Sequence, residues 1–295
     1  MNVGERIARG SIGVGCLVLG LKGAAWWFTG SAALYSDALE TIVNVAASLL
    51  AWGALRFASR PADANHPYGH DKAEFFAAVI EGVMIVIAAL SIFSHAWRTW
   101  WEPHPLLLPF QGIALNMLAT LINGGWSAVL IRSGRKLRSP ALSADGRHLL
   151  ADVVTSVGIA AGVVLTVATG YLRLDPLLAA LAGLYVLWSG MAMISVSVGG
   201  LMDAAPEPAV INRIRALVAA SAGGAIEAHD LRTRQAGRLM FLEFHLVVPG
   251  TMTVAAAHAI CDRIEAALKA DMAHLMVTIH VEPEEKAKRT GALVL

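Results

Sequence analysis

Four residues on two hydrophobic stretches have the types and spacing to hold a metal ion. In "SDALETIVNVAASLL" Glu40 and Asn44 are four residues apart, and in "DGRHLLADVVTS" His148 and Asp152 repeat that interval. Residues i and i+4 of a helix share a face, so each pair presents two ligand atoms side by side. If the two helices pack together, two carboxylates, an amide carbonyl and an imidazole converge on one point. That donor set suits a divalent transition metal with a tetrahedral preference. The competing reading, in which each polar side chain merely glues helices by hydrogen bonds, is weaker for two matched pairs than for one residue. Ionisable groups at bilayer depth cost at least ~2.5 kcal/mol each on insertion scales, which makes them functional candidates.

Two more acids lie in apolar stretches. Asp37 precedes Glu40 by three residues on the same helix face and is expected to be a helix N-cap first and a pathway residue second. Glu81, in a third stretch, is a candidate pathway residue or the partner of a neighbouring donor. The loop "PADANHPYGHDKAE" places Asp63, His66 and His70 within eight residues around a turn, close enough to chelate one ion. Nearer the C-terminus, His229 and His245 fall on predicted strands and His258 on a predicted helix. His280 and Glu282 are i and i+2 on a last strand, hence on one face. Spacing alone does not separate these from scattered surface histidines.

The elements that must carry these groups follow from composition. The chain has 295 residues, 56% hydrophobic and 15% charged, with mean hydropathy +0.60. Ordinary soluble domains are roughly 45–50% apolar, so a membrane protein is expected. The charge-poor runs end near Leu201, which predicts a transmembrane domain over 1–204 and a soluble domain over 205–295. Six runs reach the roughly 20 apolar residues a span requires: about 12–33, 38–57, 73–100, 106–131, 142–169 and 177–201. Arg6 and Arg9 precede the first run, which lacks a clear cleavage site and is read as a span rather than a signal peptide. Ser139-Pro140 and Asp175-Pro176 read as N-cap and first-turn pairs for the fifth and sixth helices. Arg56, Arg60, Lys72, Arg132, Arg135, Lys136 and Arg138 share the side of Arg6 and Arg9, so both termini are expected in the cytoplasm.

Beyond residue 204 the pattern changes. Helical periods over about 208–220 and 254–269 alternate with strand-like runs over about 228–234, 239–248 and 276–281, an α-β-β-α-β order. The predicted fold is therefore an all-α bundle of six transmembrane helices followed by a small cytosolic α+β domain. Net charge is +1 and the arginines form no stripe, which argues against nucleic acid. Cys16 and Cys261 have no CxxC spacing, so no disulfide scaffold or thiolate zinc cluster is expected. No nucleophile-and-base pattern, phosphate loop or dinucleotide fingerprint is present, and an enzyme is not expected.

Taken together, "SDALETIVNVAASL", "RPADANHPYGHDKAE", "DGRHLLADVVTS", "LMDAAPEP", "HDLRTRQAG" and "IHVEPE" resemble the cation diffusion facilitator family over essentially the whole chain, and its bacterial zinc and iron branch most of all. The resemblance implies a homodimer in the inner cell membrane that exchanges a cytosolic divalent metal for protons. Zinc is the first choice of metal, with iron, cadmium, cobalt and manganese as alternatives. It further implies that Glu40, Asn44, His148 and Asp152 form the transport site, and Asp63, His66 and His70 a loop site. His229, His245, His258, His280 and Glu282 match a metal cluster tying the cytosolic domains of the dimer together. Lys72 and Asp203 match a charge pair that helps hold two protomers. Four positions depart from the branch: glutamate and asparagine replace two familiar aspartates at 40 and 44, Glu81 replaces a neutral polar residue, and Glu282 stands where aspartate is usual. A membrane-anchored metal sensor without transport and a potential-driven uptake permease are the competing readings.

Overall fold

The computed structural model of the chain describes the backbone of residues 3–136, 140–237, 239–288 and 293–295; within these, side chains are not described at 3–9, 51, 55, 134–136, 140–145, 147, 148 and 294. Six long helices come first: α1 (Val3–Thr29), α2 (Ala32–Ala58), α3 (Ala73–Trp101), α4 (Pro109–Lys136), α5 (Pro140–Thr169) and α6 (Leu174–Leu201). Each contains a segment long and apolar enough to cross a bilayer. The soluble part adds α7 (Pro208–Ser221), β1 (Glu227–Ala236), β2 (Leu239–Val248), α8 (Val254–Asp271), β3 (Leu275–Pro283) and a two-residue β4 (Leu293–Val294). This is the expected architecture with one addition, β4, which pairs antiparallel with the start of β1. The chain divides into two compact units, Met1–Ala54 with Ala77–Ser195, and Leu55–Phe76 with Val196–Leu295.

In the first unit α4 packs on α1 and α5. Small residues set the closest approaches. A Cβ on Gly82 of α3 would meet Ile194 Cγ1 at 2.6 Å and the Gly190 carbonyl of α6 at 3.1 Å, so these two helices pack backbone to backbone. The sequence placed the start of the second helix near 38, but α2 begins six residues earlier. Gly30 turns the chain at φ +68, and the Ser31 hydroxyl accepts the Leu34 N–H at 3.1 Å as a cap. Asp175 completes that cap from α6: it accepts the Ser31 hydroxyl and the Ala32 N–H, each at 2.5 Å. The expectation that Asp175 caps its own helix is therefore corrected. Its carboxyl group sits at the buried N–H end of α2, where the helix dipole favours an anion. Ser139, the other expected cap, lies outside the described residues.

In the second unit the sheet order is β3-β2-β1-β4, with β1 and β2 antiparallel and β3 parallel to β2 through the α8 crossover. Leu242, Phe244, Leu246 and Val248 alternate along β2 and are buried in one core with Ile214 and Val218 of α7 and Ile260, Ile264 and Leu268 of α8. The side chains between them, His245 included, must therefore face away from the helices. A bulge between His229 and Arg232 interrupts the β1–β2 register, and Asp230 there takes φ +52.

Candidate metal centres

The intramembrane set is assembled by α2 and α5. Asn44 donates its amide to Asp152 Oδ2 at 2.7 Å. Glu40, Asn44 and Asp152 line one cavity with Val43, Ala151 and Thr155, closed by Ile85 and Ala88 of α3 and Tyr185, Val186 and Ser189 of α6. That hydrogen bond spends the amide on Asp152 and leaves the Asn44 carbonyl oxygen for a cation. His148 belongs to α5 one turn before Asp152, and its side chain lies outside the described residues. Glu81 is half-buried on α3 and is not among the residues lining this cavity.

Asp37 is not a helix N-cap. It lies in the second turn of α2, 1% exposed, and pairs with Lys22 of α1 at 2.8 Å. The same oxygen accepts the Ser156 hydroxyl at 2.8 Å, and the other accepts the Asn116 amide at 2.5 Å. Lys22 also donates to Ser156 at 2.9 Å. This four-helix node was not anticipated, although the sequence held a signal: Lys22 is the one charged residue between Gly10 and Thr29.

The loop set closes on itself. His66 Nδ1 lies 3.2 Å and His70 Nε2 3.5 Å from the Asp63 carboxylate, and one ligand atom from each residue falls within 4.8 Å of the others. Asp63 accepts the backbone N–H groups of His66 and Asn65, and these bonds, the His66 one first, hold its carboxyl below the usual range. His70 is buried, and its Nδ1 has no hydrogen-bond partner among the described residues. Gly69 at φ +86 makes the turn that brings the two imidazole centroids within 4.5 Å, their planes tilted by 44°.

On the face of the sheet away from the helices His229, His245 and His280 are directly paired across β1, β2 and β3. Their rings are 5.2 and 4.9 Å apart in sequence. Glu282, two residues beyond His280, reaches His229 Nε2 and His245 Nδ1 at 3.3 Å each and His280 Nε2 at 3.8 Å. Glu282 Oε2 and His245 Nδ1 are buried without hydrogen bonds among the described residues, so proximity here does not amount to satisfied polar contact. A cation would satisfy both, and the imidazole and carboxylate donors fit zinc-like chemistry. Asp230 joins His229 and His245 in a second possible ligand group. Glu227, also unanticipated, accepts from His229 Nδ1 at 3.0 Å and from the Lys288 N–H at 2.7 Å.

His258 is not brought to this cluster. It sits on α8, which packs against the opposite, core-bearing face of the sheet, is 74% exposed and lies 3.6 Å from Asp262. The Lys72–Asp203 pair forms within one chain at 2.8 Å, with Arg234 3.7 Å from the same Asp203 oxygen. The Lys72 ammonium holds the Asp203 carboxyl below its ordinary range.

Two domain families match this arrangement: the cation efflux transmembrane domain over residues 11–202 and the cation efflux cytoplasmic domain over residues 206–284. The chain belongs to the cation efflux family. This cation efflux protein, a member of the cation diffusion facilitators, is thereby a multi-pass membrane transporter rather than an enzyme. It is 42% identical over 278 residues to an uncharacterised transporter of Synechocystis, covering 94% of this chain and 90% of the relative. It is 34% identical over 270 residues to the cation-efflux pump FieF of Yersinia pestis, covering 90% and 88%. Among solved structures, the zinc form of the transporter CzrB is 49% identical over 28% of this chain and 96% of that one, with a TM-score of 0.28.

Proposed function

We propose that this cation efflux protein exports a divalent transition-metal cation, zinc first among the candidates, from the cytosol in exchange for protons. It works as a homodimer in the inner cell membrane with both termini cytoplasmic, its transmembrane and cytosolic domains meeting near residue 204. The observation that carries the reading is the convergence of Glu40, Asn44 and Asp152 from two helices on one cavity. An anchor would gain nothing from carboxylates there, because each costs insertion energy. The neutral Asn44 leaves Glu40 and Asp152 as the two anionic ligands, matching the charge of a dication, and His148 is the proposed fourth ligand.

Proton exchange follows from ligand chemistry. Metal binds the deprotonated site, so protons and metal compete for the same oxygens and imidazole. A metal-filled or protonated site carries less net charge across the bilayer core than an empty anionic one, which favours strict exchange. In the cytosolic domain, His229, His245, His280 and Glu282 would hold metal that regulates the dimer. His258, on the far side of its own sheet, would meet such a metal only from another copy of the chain.

The decisive experiment is Asp152→Ala in vesicles reporting internal pH. Metal addition should move protons with the native protein and not with the variant; undiminished proton movement would remove the site from the account.

A further inference from the structure

Beside the histidine cluster of the sheet lies Lys288, a cation where a metal is proposed. Beyond β3 the chain makes a single 3-10 turn, Glu284–Lys286, and ends in β4 beside β1. This closing segment lies past the residues matched by the cytoplasmic-domain family, which end at 284. Its far end is tied down. Leu293 and Val294 pair with Ala228 and Glu227, the Leu295 N–H donates to the Ile226 carbonyl at 3.3 Å, and Leu293 and Leu295 pack against the core. Between these anchors Lys288 meets the cluster twice. Its backbone N–H donates to Glu227 Oε1 at 2.7 Å, the oxygen that lies 3.0 Å from His229 Nδ1, and its ammonium donates to Asp230 Oδ2 at 2.6 Å.

Asp230 is where the strand bends toward the cluster. Neighbouring strand residues point to opposite faces, so a regular strand would not send both His229 and Asp230 to one ion. The bulge and the φ of +52 at Asp230 break that alternation, and ligand atoms of His229, Asp230 and His245 come within 4.8 Å of one another. Beside them Glu282 Oε2 and His245 Nδ1 are buried with no hydrogen-bond partner among the described residues, as ligands awaiting a cation would be. A divalent ion held there would draw on Asp230 as a further oxygen donor. It would then share one carboxylate with the Lys288 ammonium, and the two positive charges repel. The Lys288 and Asp230 side chains are 50% and 33% exposed, so their pair is weak enough for a metal to break.

We propose that Lys288 is a built-in competitor for the cytosolic metal cluster: its ammonium holds the Asp230 carboxylate when metal is scarce, and a divalent cation displaces it and loosens the closing segment from β1. This deepens the reading of the cluster as a regulatory metal site and rests on it. Linkage makes the effect reciprocal, so the segment weakens metal binding by the same factor by which metal weakens the segment's hold. The cluster thereby responds at a higher cytosolic metal level than its ligands alone would set.

The test uses the full chain in detergent, titrated with zinc by calorimetry, the cluster's share being the part that His245→Ala removes. Lys288→Met should tighten zinc at the cluster about tenfold, within the ordinary range of couplings between two sites. Lys288→Arg, which keeps the cation, should stay near the native value. In an Asp230→Asn background Lys288→Met should add little, because the pair is already broken. Hydrogen exchange gives a second readout that needs no variant at Lys288. Zinc should speed exchange of the Lys288 and Leu295 amides in the native protein and leave them unchanged in His245→Ala. Unaltered zinc affinity in Lys288→Met, or equal tightening in Lys288→Arg, overturns the proposal, and so does exchange at these amides that zinc leaves unchanged or slows. If His245→Ala removes no zinc from the titration, the regulatory-cluster reading itself falls, so the two failures are distinct.

Discussion

One carboxylate on β3 reaches the imidazoles of both other long strands: Glu282 lies 3.3 Å from His229 Nε2 and 3.3 Å from His245 Nδ1. Strand pairing sets this geometry, because His229, His245 and His280 occupy one register line and Glu282 follows on the same face. His245→Ala should therefore raise the metal concentration giving half-maximal transport more than it lowers the maximal rate. Transport titrations in vesicles check this, and a loss confined to the maximal rate would count against a regulatory cluster.

Glu227 fixes the orientation of His229. With Nδ1 held at 3.0 Å from Glu227, the ring leaves Nε2 facing Glu282, where it could ligate a cation. Partners of metal-ligating histidines typically contribute 10–100-fold in affinity, so Glu227→Ala should weaken zinc binding at this cluster by about that factor. Calorimetric titration of the full chain measures it. Glu227→Gln, which keeps an acceptor, should recover part of the loss.

Asn44→Asp replaces the amide that donates to Asp152 with a second carboxylate at hydrogen-bond distance. Two such anions repel without a cation and are relieved by one. The metal-free variant should unfold at a lower temperature than the native protein, and saturating zinc should raise its Tm by the larger margin. Equal zinc-induced shifts in both proteins would show that position 44 does not face the ion.

Asp175→Ala removes the acceptor for the Ser31 hydroxyl and the Ala32 N–H at the start of α2. Loss of a helix cap costs about 1–2 kcal/mol. Thermal unfolding in detergent should register that loss, while zinc affinity at the cytosolic cluster stays unchanged.

Asp203 supplies a pH test. Lys72 depresses its carboxyl in the folded protein, so the pair stabilises fully above the ordinary aspartate pKa of about 3.9 and progressively less as pH falls through the lower folded value. Lys72 and Asp203 side chains are 34% and 46% exposed, so the contribution is small and screened by salt. Asp203→Asn should lower Tm slightly at pH 6 and low ionic strength, and the difference should shrink as pH falls below the ordinary aspartate range.

Local chemistry was readable in the chain. The i, i+4 pairs Glu40/Asn44 and His148/Asp152, the compact loop of Asp63, His66 and His70, and the i, i+2 pair His280/Glu282 all follow from the periods of helix and strand. Lys22 was overlooked because one lysine in an apolar run names no partner; Asp37, Asn116 and Ser156 lie 15, 94 and 134 residues away in sequence. Glu227 was overlooked for a different reason. Its role depends on how the segment at Lys288 comes to lie beside the start of β1.

By itself, the sequence determined six apolar helices, an α-β-β-α-β tail and the ligand types available on each, since hydrophobic period and residue chemistry are local properties. Only the tertiary structure decided that Asp175 caps α2 rather than α6, that Asp37 serves Lys22 rather than a helix end, and that His258 stands across the sheet from the other histidines. Each of these depends on which surfaces bury against one another, and burial couples residues that no spacing along the chain relates.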